Sequence, residues 1–135
     1  MMKKLLIALF TLLSISSFAQ KHKVIVQLNS GDTLVWHSTL KNVSNLKTAL
    51  GADTQVEVVA HGSGIGLLIA SKTNQKAAIE ELAKSGVLFM ACENTIRERK
   101  IDKASILSQA GYVKSGVSEV VLKQEEGWSY LKAGF

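Results

Sequence analysis

Short apolar runs and longer amphipathic segments alternate along the chain between residues 23 and 132. The short runs are rich in β-branched residues, which predicts strands. The longer segments carry apolar residues three or four positions apart, which predicts helices; the first has Trp36, Leu40, Val43, Leu46 and Leu50. We predict strands at 23–29, 56–61, 87–91, 112–114 and 128–132, and helices at 36–50, 67–70, 74–84, 94–100, 103–110 and from 117 to Gly127.

This alternation predicts the sheet topology. Strands that alternate with helices need crossover connections, so we expect an α/β fold with a parallel sheet and helices on both faces. Right-handed crossovers place every strand-to-helix turn at one edge of the sheet. The turns that meet there contain Ser30, His61, Cys92 and Ser115. Because ligands bind at the carboxyl ends of parallel strands, this edge is the expected functional site.

The N-terminal residues have the three-part pattern of a secretory signal peptide. A basic start at 1–4 precedes an apolar run over 5–15, and small residues within 16–19 occupy the positions that a signal peptidase recognises. We predict a signal peptide over 1–19 and a single domain over 20–135 that is exported to the periplasm or secreted. The apolar run is too short for a comfortable membrane span, so no membrane insertion is expected after cleavage. The alternative is an uncleaved N-terminal anchor.

Composition narrows the function further. Loss of the signal peptide lowers the formal charge from +5 to +3, and no segment combines dense Lys and Arg with stacking aromatics. Nucleic-acid binding is therefore not predicted. The single cysteine, Cys92, cannot form an intramolecular disulfide. With no Cys-x-x-Cys motif and only three histidines, a zinc site is not predicted, and no cofactor is expected.

Cys92 is the main candidate for chemistry, because it lies where a buried strand ends and a helix begins. The helix dipole at such a position favours the thiolate, and Arg97 and Arg99 add positive potential if they face it. Glu93 opposes this effect. We expect an accessible thiol whose pKa is modestly lowered. The alternative is that Cys92 is a small buried hydrophobic residue, which is common for free cysteine.

His61 and the glycine-rich turn after it are further candidates. Nucleophilic catalysis by Cys92 would need His61 within hydrogen-bonding reach; alternatively His61 caps its own strand or faces solvent. Gly62, Ser63 and Gly64 begin a Gly-x-Gly-x-Gly turn that matches neither the dinucleotide fingerprint nor a Walker motif. Its backbone amides are a candidate anion-binding turn. The alternative is that these glycines only permit a tight turn with close helix packing.

Four short motifs follow one another in register with the predicted strands and turns. They are Val58-Val59-Ala60-His61-Gly62-x-Gly64, Phe89-x-Ala91-Cys92-x-Asn94-Thr95, Val113-x-Ser115-Gly116-Val117 and Gln124-x-x-Gly127-Trp128-x-Tyr130. Together they resemble the DsrE/DsrF-like family, and segment 40–46 of the first helix fits as well. The resemblance implies a three-layer α/β/α sandwich with a five-stranded parallel sheet, and assembly into trimers or hexamers.

The resemblance also implies a role for the cysteine. In sulfur-relay members of that family a single cysteine accepts sulfane sulfur as a persulfide and passes it on, and the matching residue here is Cys92. We therefore predict an exported sulfur carrier, similar to a sulfurtransferase, that takes sulfur from a donor and hands it to an acceptor thiol. His61 and Asn94 would stabilise the charge. The alternatives are a non-catalytic oligomeric binding module for a small anionic or nucleotide-like ligand at the strand edge, and a purely structural partner protein.

The last strand predicts self-association. Trp128 and Tyr130 are large residues on a short terminal strand. A free strand edge is a liability unless it is covered, and aromatic residues are favoured at contacts between subunits. We therefore predict a homo-oligomer.

Overall fold

The computed structural model describes residues 21–134, and the predicted signal peptide lies outside the described residues. One sheet contains five parallel strands in the order β4–β3–β2–β1–β5. The strands are β1 (Lys23–Leu28), β2 (Gln55–Ala60), β3 (Leu88–Cys92), β4 (Ala110–Val113) and β5 (Ser129–Lys132). The helices are α1 (Thr33–Leu50), α2 (Lys76–Lys84), α3 (Glu93–Glu98) and α4 (Gly116–Glu125), with 3₁₀ segments at Gly62–Leu68 and Lys103–Ser105.

The fold is the predicted α/β/α sandwich with a five-stranded parallel sheet. The chain passes from β1 to β4 in one direction across the sheet, and the last crossover returns to place β5 beside β1. The prediction that all strand-to-helix turns meet at one edge is confirmed, because every strand pair is parallel. In residues 21–134 none of the helices combines the length and the apolar character that a membrane span requires.

The two faces of the sheet are covered unequally. The large core lies on the face covered by α1 and α2, where Trp36, Leu40 and Ile79 pack against alternate residues of the central strands. The opposite face has a much smaller core, which includes Val59 and Val120, and it is covered by α4. Since α4 is the element of the β4–β5 crossover, it runs across that face and contacts β1, β2 and β3.

One predicted helix is wrong. We expected a helix over 103–110, but only Lys103–Ser105 is helical, as a short 3₁₀ turn, and β4 already begins at Ala110. The reason is tertiary pairing: Ile106 forms an antiparallel bridge with Ile69, and Leu107 donates its N–H to the carbonyl of Leu68. These long-range hydrogen bonds hold the segment extended in place of the local helical ones.

The glycine-rich segment after β2 also differs from the prediction. We expected a turn followed by a short helix over 67–70, but a single 3₁₀ helix runs from Gly62 to Leu68. It packs closely on its neighbours, since a Cβ on Gly64 would lie 2.3 Å from the carbonyl oxygen of Leu28. The glycine therefore lets this helix approach the end of β1, at the carboxyl edge of the sheet.

Candidate functional site

His61 and Cys92 lie side by side at the carboxyl edge. Ala60 of β2 pairs with Ala91 of β3, so His61 and Cys92 are the next residues of two neighbouring strands. Both have extended backbone angles. Neighbouring strands are about 4.8 Å apart and side chains alternate between faces, so both residues project to the face covered by α4. The sheet thus brings the two sequence candidates together.

The Cys92 sulfur is surrounded by hydrogen-bond donors. The backbone N–H of Gly116, the first residue of α4, donates to Sγ at 3.2 Å. The side chain and backbone of Thr95 and the backbone of Asn94 are further groups that favour a negative charge on the sulfur. Cys92 is itself the residue that precedes α3 as its N-cap. The sulfur therefore lies where two helix starts converge.

These donors change the acidity of the thiol. Burial by itself raises the pKa of Cys92, but the hydrogen bonds from Thr95, Gly116 and Asn94 favour the thiolate and outweigh burial, so the net effect lowers the pKa. An inert structural cysteine in apolar surroundings has a raised pKa. The electrostatic surroundings of Cys92 are therefore those of a stabilised thiolate.

The exposure of Cys92 differs from the prediction. We expected an accessible thiol, but the exposed fraction of Cys92 is 4%. The amino end of α4 packs against the sulfur through Gly116. The prediction failed because the element that covers the sulfur begins 24 residues further along the chain.

Gly116 joins the two halves of the site. A Cβ at this position would lie 2.9 Å from the Cβ of His61 and 3.1 Å from the Cγ1 of Val59. Only a residue without a side chain can approach His61 this closely and also donate to Cys92. Sequence reasoning placed Gly116 in a turn at this edge and in a family motif, but gave it no role at the sulfur. Its place directly after Ser115, which caps α4 with its hydroxyl, was the available signal.

Thr95 connects the sulfur to the glycine-rich segment. Its hydroxyl oxygen accepts the backbone N–H of Gly62 at 2.9 Å, and the side chain is buried. Because that oxygen accepts one hydrogen bond, its own hydrogen remains available to favour the negative charge on Cys92. Sequence reasoning gave Thr95 no role at the sulfur, since the Gly62 contact spans 33 residues.

The glycine turn is not arranged as an anion site. The N–H of Gly62 donates to Thr95, and the N–H of Gly64 donates to the carbonyl of His61 at 3.0 Å. The Ser63 hydroxyl accepts from Arg99 at 3.3 Å. Two of the three predicted amide donors are thus used within the protein. The geometry favours the alternative interpretation, a turn built for close packing.

Asn94 takes part through its backbone. Its side-chain oxygen accepts from the Arg97 guanidinium at 2.6 Å, so the amide group is held toward solvent. Its N–H donates to the Lys114 carbonyl at 3.2 Å, and it is one of the groups that lower the pKa of Cys92. Asn94 therefore stabilises charge at the sulfur through its backbone N–H, and not through its side chain.

The charges around the site are mainly positive. Glu93, which was expected to oppose the thiolate, forms an ion pair with Lys103 at 3.0 Å. Arg97 and Arg99 donate only to the neutral groups of Asn94 and Ser63 among the hydrogen bonds described for residues 21–134. Their charges therefore leave a positive potential at the carboxyl edge. Within the same residues, no group of three or more His, Cys, Asp or Glu side chains is arranged to hold a metal ion.

His61 has its own polar partners on the side away from Cys92. Its Nε2 lies 2.9 Å from the side-chain nitrogen of Gln27 on β1. The hydroxyl of Tyr130 on β5 donates to the side-chain oxygen of Gln27 at 2.5 Å. Burial lowers the pKa of His61, which favours the neutral ring at neutral pH.

Comparison with known proteins identifies the family. The profile of the DsrE/DsrF-like family matches residues 12–133. The chain belongs to the DsrE/DsrF-like family. A protein of unknown function from Methanobacterium thermoautotrophicum, MTH1491, has a similar solved structure, with 31% sequence identity and a TM-score of 0.78 over 83% of this chain and 99% of that one. A search of curated proteins finds no match.

Membership of the DsrE/DsrF-like family agrees with the motifs that carried the resemblance. Those motifs contain His61, Cys92 and Gly116, which the structure brings together at one edge of the sheet. The solved relative has no known function, so it supports the fold alone. The role of this DsrE/DsrF-like chain must therefore be argued from its own site.

Proposed function

We propose that this protein carries sulfane sulfur as a persulfide on Cys92. The observation that carries the proposal is the hydrogen bond from the Gly116 N–H to the Cys92 sulfur at 3.2 Å. Together with Thr95, it makes this environment favourable to an anionic sulfur, which both the thiolate and the persulfide require. A cysteine kept only for packing needs no such donors.

The transfer is a simple thiol exchange. The Cys92 thiolate attacks the terminal sulfur of a donor persulfide, R–S–SH. A new S–S bond forms to Cys92, the old S–S bond breaks, and the donor leaves as R–S⁻ with the bonding electron pair. The products are Cys92–S–SH and the donor thiolate, so no external oxidant or reductant is consumed. An acceptor thiolate then takes the terminal sulfur by the same step, and Cys92 leaves as the thiolate.

The buried position of Cys92 limits how sulfur reaches it. The exposed fraction is 4%, so a donor needs the amino end of α4 to move. That motion is feasible because α4 buries only Gly116 and Val120. A sulfur that is covered between transfers is protected from adventitious thiols. Burial thus fits a carrier whose site opens transiently, through motion of the amino end of α4 that admits a small donor.

The proposal includes export and self-association. The pattern of residues 1–19 supports export to the periplasm or secretion.

Apolar side chains on α4 and β3 are exposed, which supports a homo-oligomer such as a trimer or hexamer; they are Leu88, Val117, Val121 and Leu122. Light scattering of the mature protein at micromolar concentration should give a multiple of the protomer mass, and a monomer would contradict the proposal.

The central experiment is intact-mass analysis after incubation with inorganic polysulfide. The wild-type protein should gain the mass of one sulfur atom per protomer, and dithiothreitol should remove it. Cys92→Ser should gain nothing. If the wild type gains no sulfur while its thiol remains free by mass, the persulfide proposal is wrong.

The burial of Cys92 favours a second candidate, the non-catalytic binding module. In that case the positive edge with Arg97 and Arg99 holds a small anion, and Cys92 only packs. Iodoacetamide alkylation separates the two candidates. Reaction of the native protein near neutral pH supports the carrier. Reaction only in denaturant excludes it and leaves the binding module.

A further inference from the structure

A line of three polar side chains crosses the face of the sheet that carries Cys92. His61, Gln27 and Tyr130 come from β2, β1 and β5, which are neighbours in the sheet. The Tyr130 hydroxyl donates to the Gln27 side-chain oxygen, and the Gln27 side-chain nitrogen lies 2.9 Å from His61 Nε2. The same amide thus contacts both aromatic side chains.

The order of donors along this line determines which nitrogen of His61 carries the proton. The Gln27 oxygen has no hydrogen, so the Tyr130 hydroxyl must be the donor to it. The opposite end of the amide is then the NH₂ group, which can only donate. His61 Nε2 must therefore accept, and the proton of the neutral ring must be on Nδ1.

The strand order determines which side of the His61 ring faces Cys92. β2 lies between β1 and β3, so Gln27 and Cys92 are on opposite sides of His61. The Nε2 edge is directed toward β1 and is already occupied. A nitrogen that accepts a hydrogen bond from Gln27 is not available to remove the proton from a thiol on β3. The nitrogen that remains, Nδ1, carries a hydrogen and can only donate.

We propose that Gln27 and Tyr130 are positioning residues that hold His61 as the neutral Nδ1–H tautomer with Nε2 directed toward β1, so that His61 is not the base that deprotonates the Cys92 thiol. The consequence for catalysis rests on the proposed sulfur-carrier function. In this arrangement the thiol proton goes to water, and the donors around the sulfur stabilise the thiolate that remains.

The charged groups near His61 are consistent with a neutral ring. On β3 the neighbour is Cys92, and on α4 it is Gly116, which has no side chain. On β5, Tyr130 and Lys132 lie beside Ile25 and Gln27 of β1, and the charged group among them is the positive Lys132. Burial lowers the pKa of His61.

The test is NMR of the imidazole nitrogens in the ¹⁵N-labelled protein across pH. In the wild type, the shifts of His61 should identify the Nδ1–H tautomer at neutral pH. In Gln27→Glu the new carboxylate can accept from Nε2, so the pKa of His61 should rise by roughly one unit or more. Tyr130→Phe frees the amide to turn over, so the Nε2–H tautomer should appear. Gln55→Glu, at the exposed amino end of β2, adds the same charge far from His61 and should leave its spectrum unchanged.

Two results would overturn the inference. One is a wild-type His61 that is Nε2–H or protonated at neutral pH. The other is a Gln27→Glu variant that is folded by circular dichroism, yet has the wild-type tautomer and pKa. The NMR readout is independent of sulfur transfer, so wild-type protein that takes up no sulfur from polysulfide while keeping the Nδ1–H tautomer disproves the carrier proposal alone.

The pH profile of Cys92 alkylation is a second measurement. It should not change if Gln27 and Tyr130 have only a structural role. In the wild type the rate should follow one titration, that of the thiol. In Gln27→Glu, the protonated ring beside Cys92 should extend the reaction to lower pH. A wild-type profile that requires the titration of both His61 and Cys92 would show that His61 acts as the base, and the inference would fail.

Discussion

Gly116 donates its backbone N–H to the sulfur of Cys92 at 3.2 Å, although 24 residues separate the two in the chain. The contact places the start of α4 on the end of β3 and seals the sulfur from solvent. Because this N–H favours the thiolate, the pKa of Cys92 depends on the position of α4. This helix buries few of its own residues. The variants below test that dependence and the rest of the site.

Gly116→Ala should disrupt the site. The added methyl would lie 2.9 Å from the Cβ of His61, so α4 must shift and its N–H must leave the sulfur. We expect the pKa of Cys92 to rise by roughly one unit, the value of one hydrogen bond to a charged group. We also expect a loss of about 1–3 kcal/mol in the free energy of unfolding from overpacking. The pH profile of alkylation and chemical denaturation measure the two effects. Ser118→Ala, at an exposed position on α4, is the control. If the two variants have the same Cys92 pKa and the same stability, the start of α4 does not control the acidity of the thiol.

Thr95→Val tests the hydroxyl that connects Gly62 to the sulfur. Valine keeps the shape of the side chain but removes the hydroxyl, which leaves the Gly62 N–H without its partner and takes away a group that favours the Cys92 thiolate. We expect a raised pKa of Cys92 and a loss of about 1–3 kcal/mol in the free energy of unfolding. Thr95→Ser retains the hydroxyl and should restore the alkylation profile. A serine variant that behaves like valine would mean that packing of the methyl group, and not the hydroxyl, is what matters.

Glu57→Gln should change the pH dependence of stability. Burial raises the pKa of Glu57 to about 7, although Lys123 at 3.5 Å opposes the shift. Because the folded pKa exceeds the unfolded value, stability is fully present below about pH 4.5 and is lost as pH rises toward 7. The loss above pH 7 is about 3 kcal/mol at most.

The glutamine variant removes that loss. Its melting temperature should equal that of the wild type near pH 4.5 and exceed it at pH 8. Lys123 still has Glu119 and Glu126 within 3.7 and 3.8 Å, so its charge remains paired. Glu126→Gln, which is exposed, serves as the control and should show no such crossover. A Glu57→Gln variant that is less stable at pH 8 would show that the ion pair with Lys123 outweighs the burial of the carboxylate.

Arg97 and Arg99 should accelerate sulfur uptake from anionic donors. With inorganic polysulfide, the rate of persulfide formation should fall as ionic strength rises, because salt screens the exposed charges. The Arg97→Gln, Arg99→Gln double variant should be slower at low salt and nearly insensitive to it. Lys84→Gln, at the far end of α2, removes one exposed charge away from the site and should behave as the wild type. A double variant with an unchanged salt dependence would refute steering by these arginines.

The exported protein should begin at Gln20. The basic and apolar segments before it, and Ala19 at the cleavage position, predict removal of residues 1–19. N-terminal mass spectrometry of protein recovered from the exported fraction measures this directly. Retention of Met1 through Ala19 in that fraction would mean that the segment is an uncleaved anchor.

The sequence alone determined most of the architecture. The β-branched runs and helical stripes predicted five strands and the α/β class, and handedness placed His61 and Cys92 at one edge. These features follow from local periodicity and from a rule of chain connection, both of which can be read along the chain. The prediction of a helix over 103–110 was wrong because the backbone of that segment pairs with Ile69 and Leu68. The apolar periodicity of the segment carries no information about such long-range partners.

Only the tertiary structure decided the chemistry of the site. It showed that Cys92 is covered, that Gly116 donates to its sulfur, that Thr95 accepts from Gly62, and that Gln27 holds His61 from the opposite side. Each of these contacts joins residues far apart in the chain, and each depends on ångström-scale distances between atoms. A pattern of apolar and polar positions says which face a side chain occupies. The partner it meets there depends on how separate elements pack, and that is determined by the fold as a whole.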